Sequence, residues 1–203
     1  MIRLLCITFL YTSLIFGQKD IQVSPNIIQW EKGVFLKPSD FKINKDVDPF
    51  KVKNALTTYK IEILPKEVIV DEKNNIVNYL KMNLATYFYK KKSWLGNKKD
   101  PKHLAHEQLH FDIAELFARK MRKAFKELKN KRIKNFDDYQ KVYNKYWKAC
   151  KTYQNTYDRE TFNGSMPIPS NDWLLKVDKE LYELEEYTYK KVKSRWRERM
   201  KKS

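Results

Sequence analysis

Residues 103–115, "HLAHEQLHFDIAE", hold all three histidines of a 203-residue chain within eight positions. Two of them, His106 and His110, bracket Glu107 in the order H-E-x-x-H. Whether this segment is helix or strand decides what those side chains can do together. Apolar residues recur at spacings of three and four through Leu104, Ile113, Phe117, Met121, Ala124 and Leu128, which is the helical period. Asp100 is a suitable N-cap and Pro101 suits the first helical position. On a helix each residue advances about 100°, so His106 and His110 differ by roughly 40° and one turn of rise. Their rings then point the same way, along the stripe continued by Ile113, Phe117, Met121 and Ala124, and Glu107 falls at its flank.

Two neutral imidazoles one turn apart supply two of the three protein ligands of a catalytic zinc site, with water in the fourth position. The adjacent glutamate is long enough to take a proton from that water without binding the metal. Two buried histidines that only hydrogen-bond to neighbours would give the same stripe, and the glutamate in the required slot is what favours Zn2+. His103 lies on nearly the same face but about 10 Å along the axis from His110, which makes it a near-site or surface residue rather than a third ligand. Asp112 and Glu115 fall on the opposite side of the helix. Glu127 lies more than about 20 Å farther along the same helix. The third ligand is therefore expected from "TYDRETFNGSMPIPS", Thr156 to Ser170, read as a loop, where Asp158 and Glu160 are the candidate acids.

Outward from this helix the chain divides in two. Toward the N-terminus, "NIIQW", "ALTTYKIEIL" and "EVIVDEKNNIVNYLKMNLATYFY" are rich in β-branched and aromatic residues, with Pro25, Pro38, Pro49 and Pro65 marking segment ends. "DEKNN", Asp71 to Asn75, reads as a hairpin loop between two apolar runs. Toward the C-terminus, helical period returns from about Phe136 to Tyr153 and from about Asn171 to Met200. The expected fold is α+β: a small, mainly antiparallel N-terminal sheet over residues 18–95, then three helices over 100–203, the first a zincin-like H-E-x-x-H helix. No linker marks a second domain, and four scattered glycines exclude a Gly-rich phosphate loop.

Arg3 followed by the apolar run Leu4 to Phe16 and then Gly17 has the layout of a secretory signal peptide over residues 1–17, and the run is short of the roughly 20 apolar residues a spanning helix needs. The mature chain, from residue 18, is expected to be secreted or periplasmic. Its loss of Cys6 leaves Cys150 as the one thiol, which excludes an internal disulfide. A composition of 42% hydrophobic and 14% aromatic residues supports an ordinary folded core. The 42 Lys and Arg against 25 Asp and Glu give a net charge of +17, or +16 once Arg3 is removed. Such a field favours anionic surfaces and polymers. Arg195, Trp196, Arg197 and Arg199 lie in no recognised nucleic-acid module, so nucleic acid is not the expected partner.

The stretch "SWLGNKKDPKHLAHEQLHFDIAELFARKMRK", Ser93 to Lys123, resembles the signature of a bacterial domain-of-unknown-function family described as predicted secreted zinc-dependent proteases, in which Ser-Trp precedes an H-E-Q-x-H-F-D-I-A-E helix. The family's second signature, Tyr-Asp-x-Glu-Thr-x-His-Gly/Ser followed by a Gln and a Trp, is similar to Tyr157, Asp158, Glu160, Thr161, Gly164 and Trp173. "IIQWEKGVFLKPSDF" is similar to its opening strands. The chain departs from the pattern at Asn163, where the family has histidine, and at Ser170, where it has glutamine. The resemblance implies an exported zinc-dependent metalloprotease or peptidase acting on a peptide or protein substrate. Zinc is then held by His106, His110 and Asp158, Glu107 is the general base, and Tyr157 and Asn163 are candidates for oxyanion contact. The alternative is a catalytically impaired relative whose basic surface binds an anionic envelope component.

Overall fold

The computed structural model describes residues 25–44, 55–96 and 101–190. The expected signal peptide, Pro49, the Asp100 cap and the Arg195–Arg199 cluster lie outside them. The described chain is α+β, as expected. Six strands, β1 (Ile27–Gln29), β2 (Lys42–Ile43), β3 (Ala55–Leu56), β4 (Tyr59–Leu64), β5 (Asn83–Tyr89) and β6 (Trp94–Leu95), precede three helices, α1 (Pro101–Asn130), α2 (Phe136–Thr161) and α3 (Pro167–Glu183).

The strands form two three-stranded sheets, β1-β5-β4, antiparallel throughout, and β2-β6-β3, parallel only between β2 and β6. Ser93 joins them: its Oγ accepts from Thr58 N at 2.9 Å and donates to Tyr89 O, while its carbonyl accepts from Lys42 N. Strand β5 is central and nearly all buried. Its residues alternate as a pleat requires. Leu84, Thr86 and Phe88 turn toward α1, whereas Ala85 and Tyr87 join Leu64 in a small second cluster.

The hairpin expected around Asp71–Asn75 is reduced to one bridge, Val70 to Ile76. Asp71 Oδ1 does close the turn by accepting from Lys73 N and Asn75 N. However, Ile69, Val70 and Val77 are exposed, so the flanking runs have no buried face to hold a ladder, and β5 pairs with β4 instead.

Helix α1 packs against β4, β5, α2 and α3. Ile113, Met121 and Phe125 on its inner stripe are at most 1% exposed, and each such side chain stabilises the fold by about 1.5–3 kcal/mol. Three helix boundaries differ from the expectation. Helix α2 does not stop at Tyr153 but continues to Thr161, because Gln154 and Tyr157 are still buried against α1. It ends where Phe162, Asn163 and Gly164 take φ of 48°, 51° and 80° in succession. Helix α3 begins at Pro167, since proline is tolerated in a first turn, and ends at Glu183 rather than Met200, followed by a 3-10 turn over Glu185–Tyr187.

Candidate metal centre

The first turns of α1 and the last turns of α2 meet at three atoms. His106 Nε2 and His110 Nε2 are 3.0 Å apart, and Asp158 Oδ1 is 3.1 Å from the first and 2.9 Å from the second. A tetrahedral zinc with bonds of about 2.0–2.1 Å requires donor separations of about 3.3 Å. The three donors fit such an ion with a few tenths of an ångström of expansion, and among the described residues they are the only such cluster of His, Cys, Asp and Glu. Glu160, the other candidate acid, is not part of it. Its Oε2 accepts from Trp173 Nε1 at 2.9 Å, on the side of α2 away from the histidines.

The tautomer of His110 follows from its neighbours. Gln154 Nε2 donates to the His110 carbonyl at 2.9 Å, which leaves Gln154 Oε1 to accept from His110 Nδ1–H. In neutral His110 the Nε2 lone pair is then directed at Asp158 and His106, as a metal ligand requires. Burial lowers the pKa of His106. For His110, burial also opposes the charge, but the hydrogen bond and field of Asp158 and the field of Glu107 outweigh it and the pKa rises. Burial acts to raise the Asp158 carboxyl as well, yet the two imidazoles hold it well below the ordinary carboxylate range. The cluster is thus a carboxylate facing two imidazole Nε2 atoms, and a cation can take the place of a proton held among these three donors.

Glu107 is 3% exposed, and its Oε2 makes no hydrogen bond. A buried carboxylate oxygen with no partner costs several kcal/mol unless a ligand or water completes it. It faces a cavity of about 150 Å³ lined by His103, His106, Glu107, His110, Asp158 and Asn163, with Gln154, Tyr59 and the β3 segment on the other wall. Thr57 Oγ1 donates to the Glu107 carbonyl at 3.1 Å and anchors that wall to α1. His103 is therefore a near-site residue, as its spacing suggested.

The second signature resolves into separate physical roles. Tyr157 does not line the cavity. Its ring stacks on His106 at 4.5 Å and meets His110 edge-on, and its hydroxyl lies 3.5 Å from the His106 carbonyl. Tyr157 thus forms a plate behind His106 and His110 rather than a wall of the cavity where an oxyanion contact was expected, because helical spacing puts residue 157 a quarter-turn from 158, on the core side. Asp158 is the residue whose carboxylate reaches both histidines. Thr161 Oγ1 accepts from Gly164 N and donates to the Tyr157 carbonyl, tying the turn to the helix end. At Gly164, a Cβ would come within 2.8 Å of His106 Cβ, so only glycine allows this backbone to lie against the ring. Asn163 does reach the cavity. Gln154 and Tyr59 were not singled out by sequence; Gln154 lies one helical turn before Asp158, a spacing that would have pointed to it.

Residues 90–164 match a family described as "Bacterial protein of unknown function (DUF922)". The match takes in β6, α1 and α2 through Gly164, hence every donor of the centre. No curated protein and no solved structure matches the chain. No helix among the described residues is long and apolar enough to cross a membrane.

Proposed function

We propose that the chain is a zinc-dependent hydrolase acting on peptide bonds, with His106, His110 and Asp158 as ligands and Glu107 as general base. The observation that carries this reading is the triangle of three donors 2.9–3.1 Å apart beside a buried Glu107 oxygen that has no partner. Zinc, when bound, supplies Lewis acidity and brings the pKa of a bound water toward about 7. Glu107 accepts the proton of the attacking water and returns it to the leaving amine. Of the neutral donors that line the cavity, Asn163 and Tyr59, whose hydroxyl also lies 3.7 Å from Cys150 Sγ, can hydrogen-bond to charge developing on the substrate carbonyl. Burial, foremost, pushes the Tyr59 phenol far up, so it stays protonated as a donor. A cavity of about 150 Å³ holds the reacting groups but not a peptide. The substrate therefore lies across its mouth, beside β3, whose pairing among the described residues uses only one edge.

The test compares metal content and peptidase activity in the parent, Glu107→Gln and a His106→Ala, His110→Ala double variant. About one zinc per parent chain, retained in Glu107→Gln with activity reduced at least a hundredfold and absent from the double variant, is the expected result. Undiminished activity in Glu107→Gln, or a parent that binds no zinc, refutes it. The basic binding protein remains the second reading, favoured by Asn163 in place of the family histidine.

A further inference from the structure

On the side of α2 turned away from the metal centre, a shallow groove of about 480 Å³ runs between α2 and α3. Its floor is aromatic, with Phe117, Tyr153 and the inner edge of Trp173, and its rim is cationic, with Lys145 and Lys148 on α2 and Lys176 on α3. Between the walls α2 presents only Ala149, Thr152 and Thr156, small side chains that leave the half-buried Tyr153 as the accessible part of a floor in which Phe117 and Trp173 are buried. The volume is within the range of about 300–1,000 Å³ typical of ligand sites.

The charge around the groove is compensated only at one end, where Glu180 accepts from the Tyr153 hydroxyl, pairs with Lys120 and feels the field of Lys176. From Tyr139 to Tyr157 the helix carries Lys141, Lys145, Lys148 and Lys151 and no acid, at spacings of three and four where like charges repel. Lys141 reaches Asp138 at 3.8 Å, and on the neighbouring surface Lys120 is paired with Glu180 at 2.7 Å. Among the described residues no carboxylate forms an ion pair with Lys145, Lys148 or Lys176. The Lys176 ammonium instead sits 4.4 Å from the Trp173 ring centre and 4.9 Å from that of Tyr153. Three cations thus surround an apolar floor at a place where the helix itself would be better served by an acid.

We propose that this groove is a docking site for an acidic peptide segment carrying one large apolar side chain, which packs on Tyr153 above the buried Trp173 and Phe117 while its carboxylates meet the three lysines. A sugar polymer fits less well, because the groove offers few groups to pair with hydroxyls. Trp173 Nε1 is already bonded to Glu160, and the Thr152 hydroxyl donates to the Lys148 carbonyl. The inference does not depend on the metal.

The experiment measures fluorescence anisotropy of a dye-labelled synthetic peptide, a central phenylalanine flanked by aspartates and glutamates, against the full chain at low and physiological salt. The expected result is saturable binding that weakens with salt. It should weaken at least tenfold in Lys145→Glu, Lys148→Glu, Lys176→Glu, and less than twofold in the matched control Lys42→Glu, Lys66→Glu, Lys73→Glu. Ala149→Leu, which fills the floor without changing charge, should weaken it at least fivefold and serves as the readout if the triple variant misfolds. Equal weakening by both triple variants, or equal binding of a peptide with alanine at the centre, overturns the proposal. So does binding of heparin or polyphosphate at this groove with none of the peptide.

Discussion

At Gln154 one amide is pinned by two contacts with one residue, donating to the His110 carbonyl and accepting from its Nδ1–H. Removing the acceptor frees His110 to adopt the other tautomer, which puts a proton on the nitrogen that should face the metal. Gln154→Leu is therefore expected to lower zinc affinity by about 10–100-fold, the usual cost of losing an outer hydrogen bond to a ligand histidine. Gln154→Glu, which keeps the acceptor, should stay within a few-fold of the parent. Competition titration against a chromophoric chelator measures both, and a Leu variant within twofold of parent affinity would refute the role. At this scale sequence was informative where chemistry and spacing coincide. His106, Glu107 and His110 share a helix, so four residues of spacing suffice to place them. Gln154 and Asp158 acquire their roles from packing against a helix more than 40 positions away, and only the regular step between them was visible. Tyr157 faces the core rather than the cavity for a related reason: the direction in which it points is set by how α2 is rotated against α1, which the spacing within α2 alone does not fix.

Among the elements, α1 is the one on which the others are assembled, and a buried ion cluster sets its position. Glu115 Oε1 accepts from Arg119 Nε at 3.1 Å and from Arg122 Nη2, while Glu115 Oε2 accepts from Thr86 of β5 at 2.8 Å. The two guanidinia also donate to the carbonyls of Leu181, Leu84 and Tyr187, which ties α1 to α3, β5 and the final turn. Such a cluster adds little over apolar packing, but removing its one anion strands two buried cations. Glu115→Ala should cost about 3–5 kcal/mol, whereas Glu185→Ala, which breaks the exposed pair with Lys32, should leave the unfolding midpoint close to that of the parent. Urea unfolding of the two variants decides, and equal small losses would show that Glu115 is not the anchor. The helical period of α1 was legible because its buried stripe is continuous. The end of α2 was not, since "TYDRET" contains the polar residues of a loop and remains helical only because Tyr157 and Thr161 are buried against α1 and the turn. The single bridge at Asp71–Asn75 shows the opposite error: strand-like composition without a face to bury.

For the molecule as a whole, a net charge of +17 at neutral pH means that acid adds repulsion as carboxylates are neutralised. One buried acid acts in the other direction. Asp112 accepts from Trp30 Nε1 at 2.7 Å and from Gln108 Nε2 at 3.0 Å, fastening the N-terminal strands to α1, but burial outweighs those bonds and pushes its pKa up to about 6 from an ordinary 3.8. Because the folded value is the higher one, the folded state holds more protons between these two pH values, so the stability Asp112 contributes is fully present below about pH 4 and is lost as pH rises through about 6. A shift of about 2 units, 6 minus 3.8, corresponds to roughly 3 kcal/mol. Asp158 has the reverse sign, since its folded pKa is depressed and its contribution disappears only at lower pH. Measured on the parent alone, the Asp112 effect would be hidden by the growing repulsion. Asp112→Asn changes the charge by one and removes the titration while keeping an acceptor for Trp30, so the difference between parent and variant largely cancels the common field. Urea unfolding at pH 4, 5, 6 and 7 should show the parent losing about 3 kcal/mol relative to Asp112→Asn across that interval. Parallel curves would mean that water reaches Asp112 and that its carboxylate is solvated in the folded protein. A parent that gains on the variant as pH rises would mean that the bonds from Trp30 and Gln108 outweigh burial, and that this junction is held by a stable anion.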